Sequence, residues 1–364
     1  MIYLFYQGLI LRMAGAAVMS FLVVLLLGPT MIRFLIKRKI GERPEFDHAD
    51  LNQLTRHKAN TPTMGGILVV ISVFVSVLLF ANTRNRYVLY ALIAVVWLGG
   101  VGAWDDWTKL RQSAGKIPSG REGLRMWEKL IFQVGLAVIL GIYTYRYGRL
   151  STPAHCLYLP FRIPPIELSI LAYIIIVAFT MVGSSNAVNL TDGMDGLAAG
   201  CVAIVSAVLL LLSQIVGVRA WANFFHLPLV PGSEEMTIVC ASMMGSCLGF
   251  LWYNAHPAQV FMGDTGSLPL GGLLGYIAVV TRQELLLIIA GGVFVMEAVS
   301  VLLQVGCYKL TKGRGGMQGR RIFRCAPLHH HFHLGGWSES KVVVRFWLLG
   351  IIFAALALAT LKLR

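Results

Sequence analysis

The chain has 364 residues, 57% hydrophobic and only 13% charged, with a net charge of +14. Its mean hydropathy of +0.71 excludes an ordinary soluble domain. The basic excess does not signal nucleic acid, because Lys and Arg gather in connections between apolar runs. An anionic membrane surface or an anionic substrate fits that placement.

The apolar runs are about 20 residues long, the length of a bilayer-spanning helix, and they are continuous rather than alternating, which selects helices over a barrel. In chain order they predict spans over 12–36, 63–82, 87–104, 128–147, 168–188, 195–215, 237–254, 266–281, 284–310 and 343–362. The eighth is short, and the ninth is long enough to be tilted or broken. The expected fold is an all-α polytopic membrane protein with ten transmembrane helices, forming one integral-membrane unit over residues 1–364. The first run lacks a basic leader and is followed by Arg33, Lys37 and Arg38, so it reads as a retained span rather than a cleaved signal. Roughly two thirds of the 31 Lys and Arg follow odd-numbered spans. That bias places those connections in the cytoplasm and both termini outside. The external segments 148–167 and 216–236 read as a hairpin and an interfacial helix. The six cysteines are dispersed without a CxxC pair and read as small buried hydrophobes.

Three acidic motifs stand at span ends: WDDWTK with Asp105 and Asp106, NLTDGMDG with Asp192 and Asp195, and FMGDTGS with Asp264. A histidine-rich segment, PLHHHFH, follows the ninth span. All four follow odd spans, so one face collects them. Lys109 lies four residues after Asp105 and three after Asp106, within reach of either on a helix, as a boundary salt bridge or as a phosphate ligand. In NLTDGMDG, Asn189, Thr191 and Asp192 are capping residue types just before a span. Capping does not account for two Asp together with Gly193 and Gly196. Glycines that let backbone approach a ligand, and a helix start behind them, suit a diphosphate. Asp264 could cap the eighth span or contribute to the hard oxygen set that holds Mg²⁺. Asn254 offers an amide nearby, and Phe261 a ring for a base. The adjacent histidines lack zinc-site spacing, so imidazoles over a phosphate or sugar fit better, with a solvated basic loop as the plain alternative. Glu297 and Gln304 share a helix face and turn toward a polar cavity or a packed interface. Gly245 and Gly249 form a GxxxG suited to helix packing.

With WDDWTK, HKANTPTMGG, NLTDGMDG, FMGDTGS and PLHHHF in this order, the chain resembles the polyprenyl-phosphate N-acetylhexosamine-1-phosphate transferase superfamily over essentially its whole length. TPTMGG and PLHHHF point to its phospho-muramoyl-pentapeptide branch. The resemblance implies transfer of phospho-MurNAc-pentapeptide from UDP-MurNAc-pentapeptide to undecaprenyl phosphate with Mg²⁺, giving lipid I and UMP in peptidoglycan synthesis. It also implies a multi-pass protein of the bacterial inner membrane, surrounded by membrane lipids, with its active site facing the cytoplasm, and a homodimer. By motif match, Asp105 is the candidate base with Asp106 beside it, Asp264 the metal ligand, and His329 a further catalytic group. Lys58, Thr63, Lys109, Lys129, Asn189, Asp192, Gly193, Met194, Asp195, Asn254, Phe261, Gln304 and His330 are the implied substrate-binding residues. The chain departs from the family pattern at His333, where Glu usually follows HHHF, and in a Gly-rich insertion over Lys312–Gly319.

Two other readings remain at this stage. A related transferase would act on UDP-GlcNAc, against which PLHHHF argues. A secondary transporter would use the aspartates for ion coupling, but such sites lie near the midplane rather than at span ends.

Overall fold

The computed structural model describes residues 8–38, 58, 61–113, 123–148, 156–159, 165–312 and 319–362. Most of the basic connection after the first helix, including Arg43 and Arg56, falls outside these residues. So does the interior of the Lys312–Gly319 insertion.

The long elements are α1 (Leu9–Lys37), α2 (Gly66–Phe80), α3 (Arg86–Ser113), α4 (Met126–Gly148), α5 (Ile170–Thr191) and α6 (Leu197–Gly217). After a short α7 (Arg219–Phe224) come α8 (Met236–Asn254), α9 (Asp264–Thr281), α10 (Glu284–Ala290), α11 (Gly292–Thr311), α12 (Leu328–Leu334) and α13 (Glu339–Ala359). Strands β1 (Cys156–Leu157) and β2 (Ile166–Glu167) pair antiparallel, the hairpin expected of that segment, and α7 is the short helix expected in 216–236. All six cysteines are free.

Helix α9 is the axis of the bundle, for every one of its residues is buried. It packs chiefly on α3 and α5, while α8 and α6 are also mostly enclosed. The outer helices α1, α4, α5, α11 and α13 turn large apolar side chains such as Leu26, Ile131, Phe179, Leu302 and Ile351 outward. That is the pattern of a protein solvated by lipid, and the chain is a multi-pass helical membrane protein.

Eight of the described helices are long and apolar enough to cross a membrane, so the count of ten does not stand as predicted. The two shortfalls have different causes. Helix α2 has 15 residues, about 22 Å of rise against a hydrocarbon core of about 30 Å. Residues 63–65, predicted inside the span, are irregular instead. Their backbone is paired within the protein: Gly65 N–H donates to the Phe261 carbonyl and Gly66 N–H to that of Met262, both at 2.8 Å. Non-helical backbone at membrane depth is tolerated only with such partners. Helix α9 falls short in hydropathy rather than length, having Asp264, Thr265, Ser267 and four glycines among its 18 residues. Surrounded by protein, it needs no lipid-compatible surface. The predicted ninth span is broken at Gly291 into α10 and α11.

Packing explains the small residues. A Cβ on Gly245 would lie 2.1 Å from the Ala17 carbonyl, and one on Gly249 2.9 Å from that of Phe21, so the GxxxG seats α8 on α1. Pro29 inside α1 removes the N–H that would serve the Leu25 carbonyl. The Tyr253 hydroxyl of α8 donates to that carbonyl at 2.7 Å. At the far end of the same pair, the buried Arg12 donates to both Glu235 oxygens at 3.0 and 2.7 Å.

An equally tight crossing joins α2 to α9, where a Cβ on Gly66 would stand 2.1 Å from the Gly266 nitrogen. Overpacking against backbone costs roughly 1–3 kcal/mol. Gly66→Ala is therefore expected to lower the unfolding temperature in detergent by several degrees; an unchanged transition would refute this crossing.

Candidate active site at one end of the bundle

The four motifs meet where α3, α5 and α8 end and where α4, α6, α9, α12 and α13 begin. Asp105 and Asp106 point to different tasks because neighbouring residues on a helix diverge by about 100°. Asp106 turns inward to the start of α9. Its Oδ1 accepts the Asp264 N–H at 3.1 Å, and its Oδ2 accepts the Thr265 N–H at 2.9 Å and the Thr265 hydroxyl at 2.6 Å. The residue before the helix, Gly263, has φ +69°, and a Cβ there would lie 2.6 Å from Asp106 Oδ2. Asp106 thus supplies, from another helix, the cap that α9 lacks locally. Asp264 does not cap the helix it begins.

Asp264 is left free to work sideways. Its Oδ1 accepts from the Asn189 amide at 2.7 Å, and Lys109 Nζ stands 3.5 Å from the same oxygen. Its Oδ2 accepts from Lys129 Nζ at 2.6 Å. Lys129 lies equally close, 2.6 Å, to Asp105 Oδ2, which Lys109 also meets at 2.9 Å. The salt-bridge reading of Lys109 holds, and Lys109 reaches Asp264 as well. Asp105 Oδ1 accepts the Leu124 N–H at 2.7 Å, fixing the segment that leads into α4. Oxygens of Asp105, Asp106 and Asp264 lie within 4.8 Å of one another, a donor set of hard oxygens that suits Mg²⁺. Asp106 spends its oxygens on the start of α9, which leaves Asp264 and Asp105 facing the two lysines.

A second cluster forms around NLTDGMDG. Lys58 Nζ is 2.6 Å from Asp195 Oδ1 and 2.5 Å from Glu339 Oε1, and it sits 5.7 Å from the centre of the Phe261 ring. Asp195 Oδ2 meets His256 Nδ1 at 3.0 Å and accepts the Ala258 N–H at 3.1 Å. Burial alone would raise the Asp195 carboxyl, but Lys58 and these hydrogen bonds hold it below the usual range. Asp195, His256 and Glu339 also converge within 4.8 Å, and Lys58 serves two of them as Lys129 serves Asp105 and Asp264; the imidazole makes this set softer than the all-oxygen one. Asn254 is a staple: its Oδ1 accepts the Gly196 N–H at 3.0 Å and its amide donates to the Val260 carbonyl at 2.8 Å.

The expected capping by Asn189, Thr191 and Asp192 is not realised. Asn189 and Thr191 lie in the last turn of α5, and α6 begins after Gly196, which adopts φ +81°. Asp192 bridges the two clusters by accepting the Gly263 N–H. Burial, followed by the Asp264 and Asp106 charges, pushes its carboxyl well above the usual range. Met194 is buried beneath this loop, and Thr63 is buried beside Gly263. Gly193 faces His329, whose Nε2 would be 2.3 Å from a Cβ there. His329 and His330 are buried with ring centres 4.1 Å apart. Burial pushes His329 down to about 3 and lowers His330 too, so both are neutral at pH 7. Gln304 is not brought into either cluster; it clasps the lead to α12, donating to the Phe323 carbonyl and accepting from Ile322 and Phe323 N–H. His333 meets the Trp337 carbonyl at 2.9 Å.

Glu339, His256 and Thr265 were not singled out in the sequence. Each lies within or beside a recognised motif or span start, but nothing in local periodicity says which distant carboxylate or lysine it meets.

The site is thus two lysines and paired carboxylates beside a glycine loop at the end of a membrane bundle. Residues 88–282 match Glycosyl transferase family 4, and residues 58–70 match Phospho-N-acetylmuramoyl-pentapeptide-transferase signature 1. A phospho-N-acetylmuramoyl-pentapeptide-transferase of Desulfotalea psychrophila is 46% identical over 99% of this chain and 95% of its own. Those of Koribacter versatilis and Methylacidiphilum infernorum are 42% and 43% identical, each over 99% of this chain, with 94% and 95% of their own lengths covered. The chain belongs to the phospho-N-acetylmuramoyl-pentapeptide-transferase family.

Asp106→Asn replaces one acceptor with an amide facing an N–H donor. Leaving buried groups unsatisfied costs about 1–3 kcal/mol, so a lowered unfolding temperature is expected. Wild-type stability would show that Asp106 is not the cap.

Proposed function

We propose that the chain transfers phospho-MurNAc-pentapeptide from UDP-MurNAc-pentapeptide to undecaprenyl phosphate, releasing UMP and forming lipid I for peptidoglycan synthesis. The observation that carries this reading is the pairing of Asp105 and Asp264 through Lys129, next to the Lys58–Asp195 cluster, within a chain of this family.

The reaction joins two anions, so positive charge has to face the diphosphate while the acceptor oxygen lines up behind it. Asp264 would hold Mg²⁺, which when bound neutralises phosphate charge. Lys109 and Lys129, partly open to solvent, supply two further cations at the same place. Phe261 and Asp195 form the nucleoside end, with Lys58 pinning Asp195. The glycines of NLTDGMDG make room for protein neighbours, Gly193 for the His329 ring and Gly196 for Leu251 and Trp347. Direct in-line attack is the preferred route, with Asp105 as acceptor of any proton on the lipid phosphate. A covalent route through Asp264 is disfavoured because that carboxylate is engaged by Lys129 and Asn189 and is the best-placed metal ligand.

The outer ends of the terminal helices lie away from the site. Arg12 in α1 pairs with Glu235 at the remote end of α8, and α13 starts at Glu339 in the site and runs outward. With the Lys and Arg bias, this supports a site facing the cytoplasm of the bacterial inner membrane and both termini on the opposite side.

The test is UMP release from UDP-MurNAc-pentapeptide with undecaprenyl phosphate in detergent. Release should require Mg²⁺ and fall at least about 100-fold in Asp264→Asn, the loss typical of one missing electrostatic group. UMP release with UDP-GlcNAc instead would move the assignment to the related transferase, and substrate uptake into proteoliposomes without UMP release would favour a transporter.

A further inference from the structure

Glu297 is an acid in the middle of a membrane bundle, in α11, and it is fully buried. Such a group is expensive and needs a partner. Its partner is α12, the seven-residue histidine helix, whose own N-cap residue is Pro327 with no side-chain cap. Glu297 Oε1 accepts the His329 N–H at 3.2 Å, and the carboxylate also accepts from Leu328 N–H. Oε2 lies 3.1 Å from His329 Nδ1, close but off the line of a formed hydrogen bond. Such contacts often tighten only when substrate is bound. The other ring nitrogen, Nε2, is completely buried, has no partner, and faces the Gly193 backbone of the nucleotide loop. One carboxylate therefore holds the backbone, and stands beside Nδ1, of a residue whose remaining nitrogen faces the proposed substrate loop.

We propose that Glu297 is a positioning residue that fixes His329 with its proton on Nδ1, leaving Nε2 as a hydrogen-bond acceptor toward bound substrate. A carboxylate that orients a histidine also decides which ring nitrogen carries the proton. A neutral imidazole with its lone pair on Nε2 accepts from a hydroxyl or N–H. It cannot donate to a phosphate oxygen. The inference rests on the transferase reading and assigns His329 to the sugar, peptide or base rather than to the diphosphate.

Glu297→Gln separates the two tasks of the carboxylate. The amide oxygen still accepts the backbone N–H, so α12 stays capped, while the amide nitrogen donates to Nδ1 and reverses the tautomer. Nitrogen-15 NMR of histidine-labelled protein in detergent, with His329→Gln to assign the signal, should show the Nδ1–H form in wild type and the Nε2–H form in Glu297→Gln. kcat/KM should fall by about 10–100-fold, the usual loss for an orienting partner, chiefly through a raised KM because the lost hydrogen bond is one made to bound substrate, with an unchanged unfolding temperature. An Nε2–H form in wild type, or wild-type kcat/KM in Glu297→Gln while His329→Gln is impaired, would overturn the proposal. If His329→Gln itself turned over normally, the site reading would fail and the proposal with it. Should Glu297→Gln not fold, the wild-type spectrum alone still decides the tautomer.

Discussion

Everything at the site end depends on how the bundle satisfies backbone N–H groups of helices that begin buried inside protein. An N–H left unpaired there costs several kcal/mol. At α9 the answer is Asp106, reaching across from α3 to bind two backbone N–H groups and the Thr265 hydroxyl. This one contact lets the central helix start at Asp264 and aims that carboxylate at Lys109, Lys129 and Asn189. The two adjacent aspartates of WDDWTK thereby divide their work: one builds the helix start, and the other joins the charge cluster.

The same device recurs around the site. Glu297 closes the start of α12, Glu339 accepts the Asp195 N–H, and Asn254 closes Gly196 at the start of α6. Each of these groups comes from a different helix than the one it serves. The polar residues that make the site therefore also hold the helices together, so several substitutions would affect stability and turnover together.

Much of this was legible in sequence, because a bilayer imposes length and hydropathy on every run. Every predicted span contains a helix, the ninth is broken as its length suggested, and the three acidic motifs and the histidines converge. What hydropathy cannot reveal is depth. The apolar TPTMGG stretch looked like the start of a span but is paired backbone, held by Phe261 and Met262. Nor could it reveal partners 100 or more residues apart, such as Asp106 with Thr265 or Lys58 with Glu339. Local capping rules assigned NLTDGMDG and Asp264 to helix starts, whereas Gly196 and Gly263, in left-handed or extended positive-φ conformations, lead into those helices. Capping from a distant helix leaves no periodic trace in the chain.

The central claim is that Asp264 holds the ion while Asp106 shapes the helix that presents it. The direct measurement is Mn²⁺ binding to the purified protein by electron paramagnetic resonance, comparing wild type with Asp264→Asn at matched folded fraction. The account predicts one bound ion in wild type and its loss in a folded Asp264→Asn protein. Undiminished Mn²⁺ binding by that variant would contradict it.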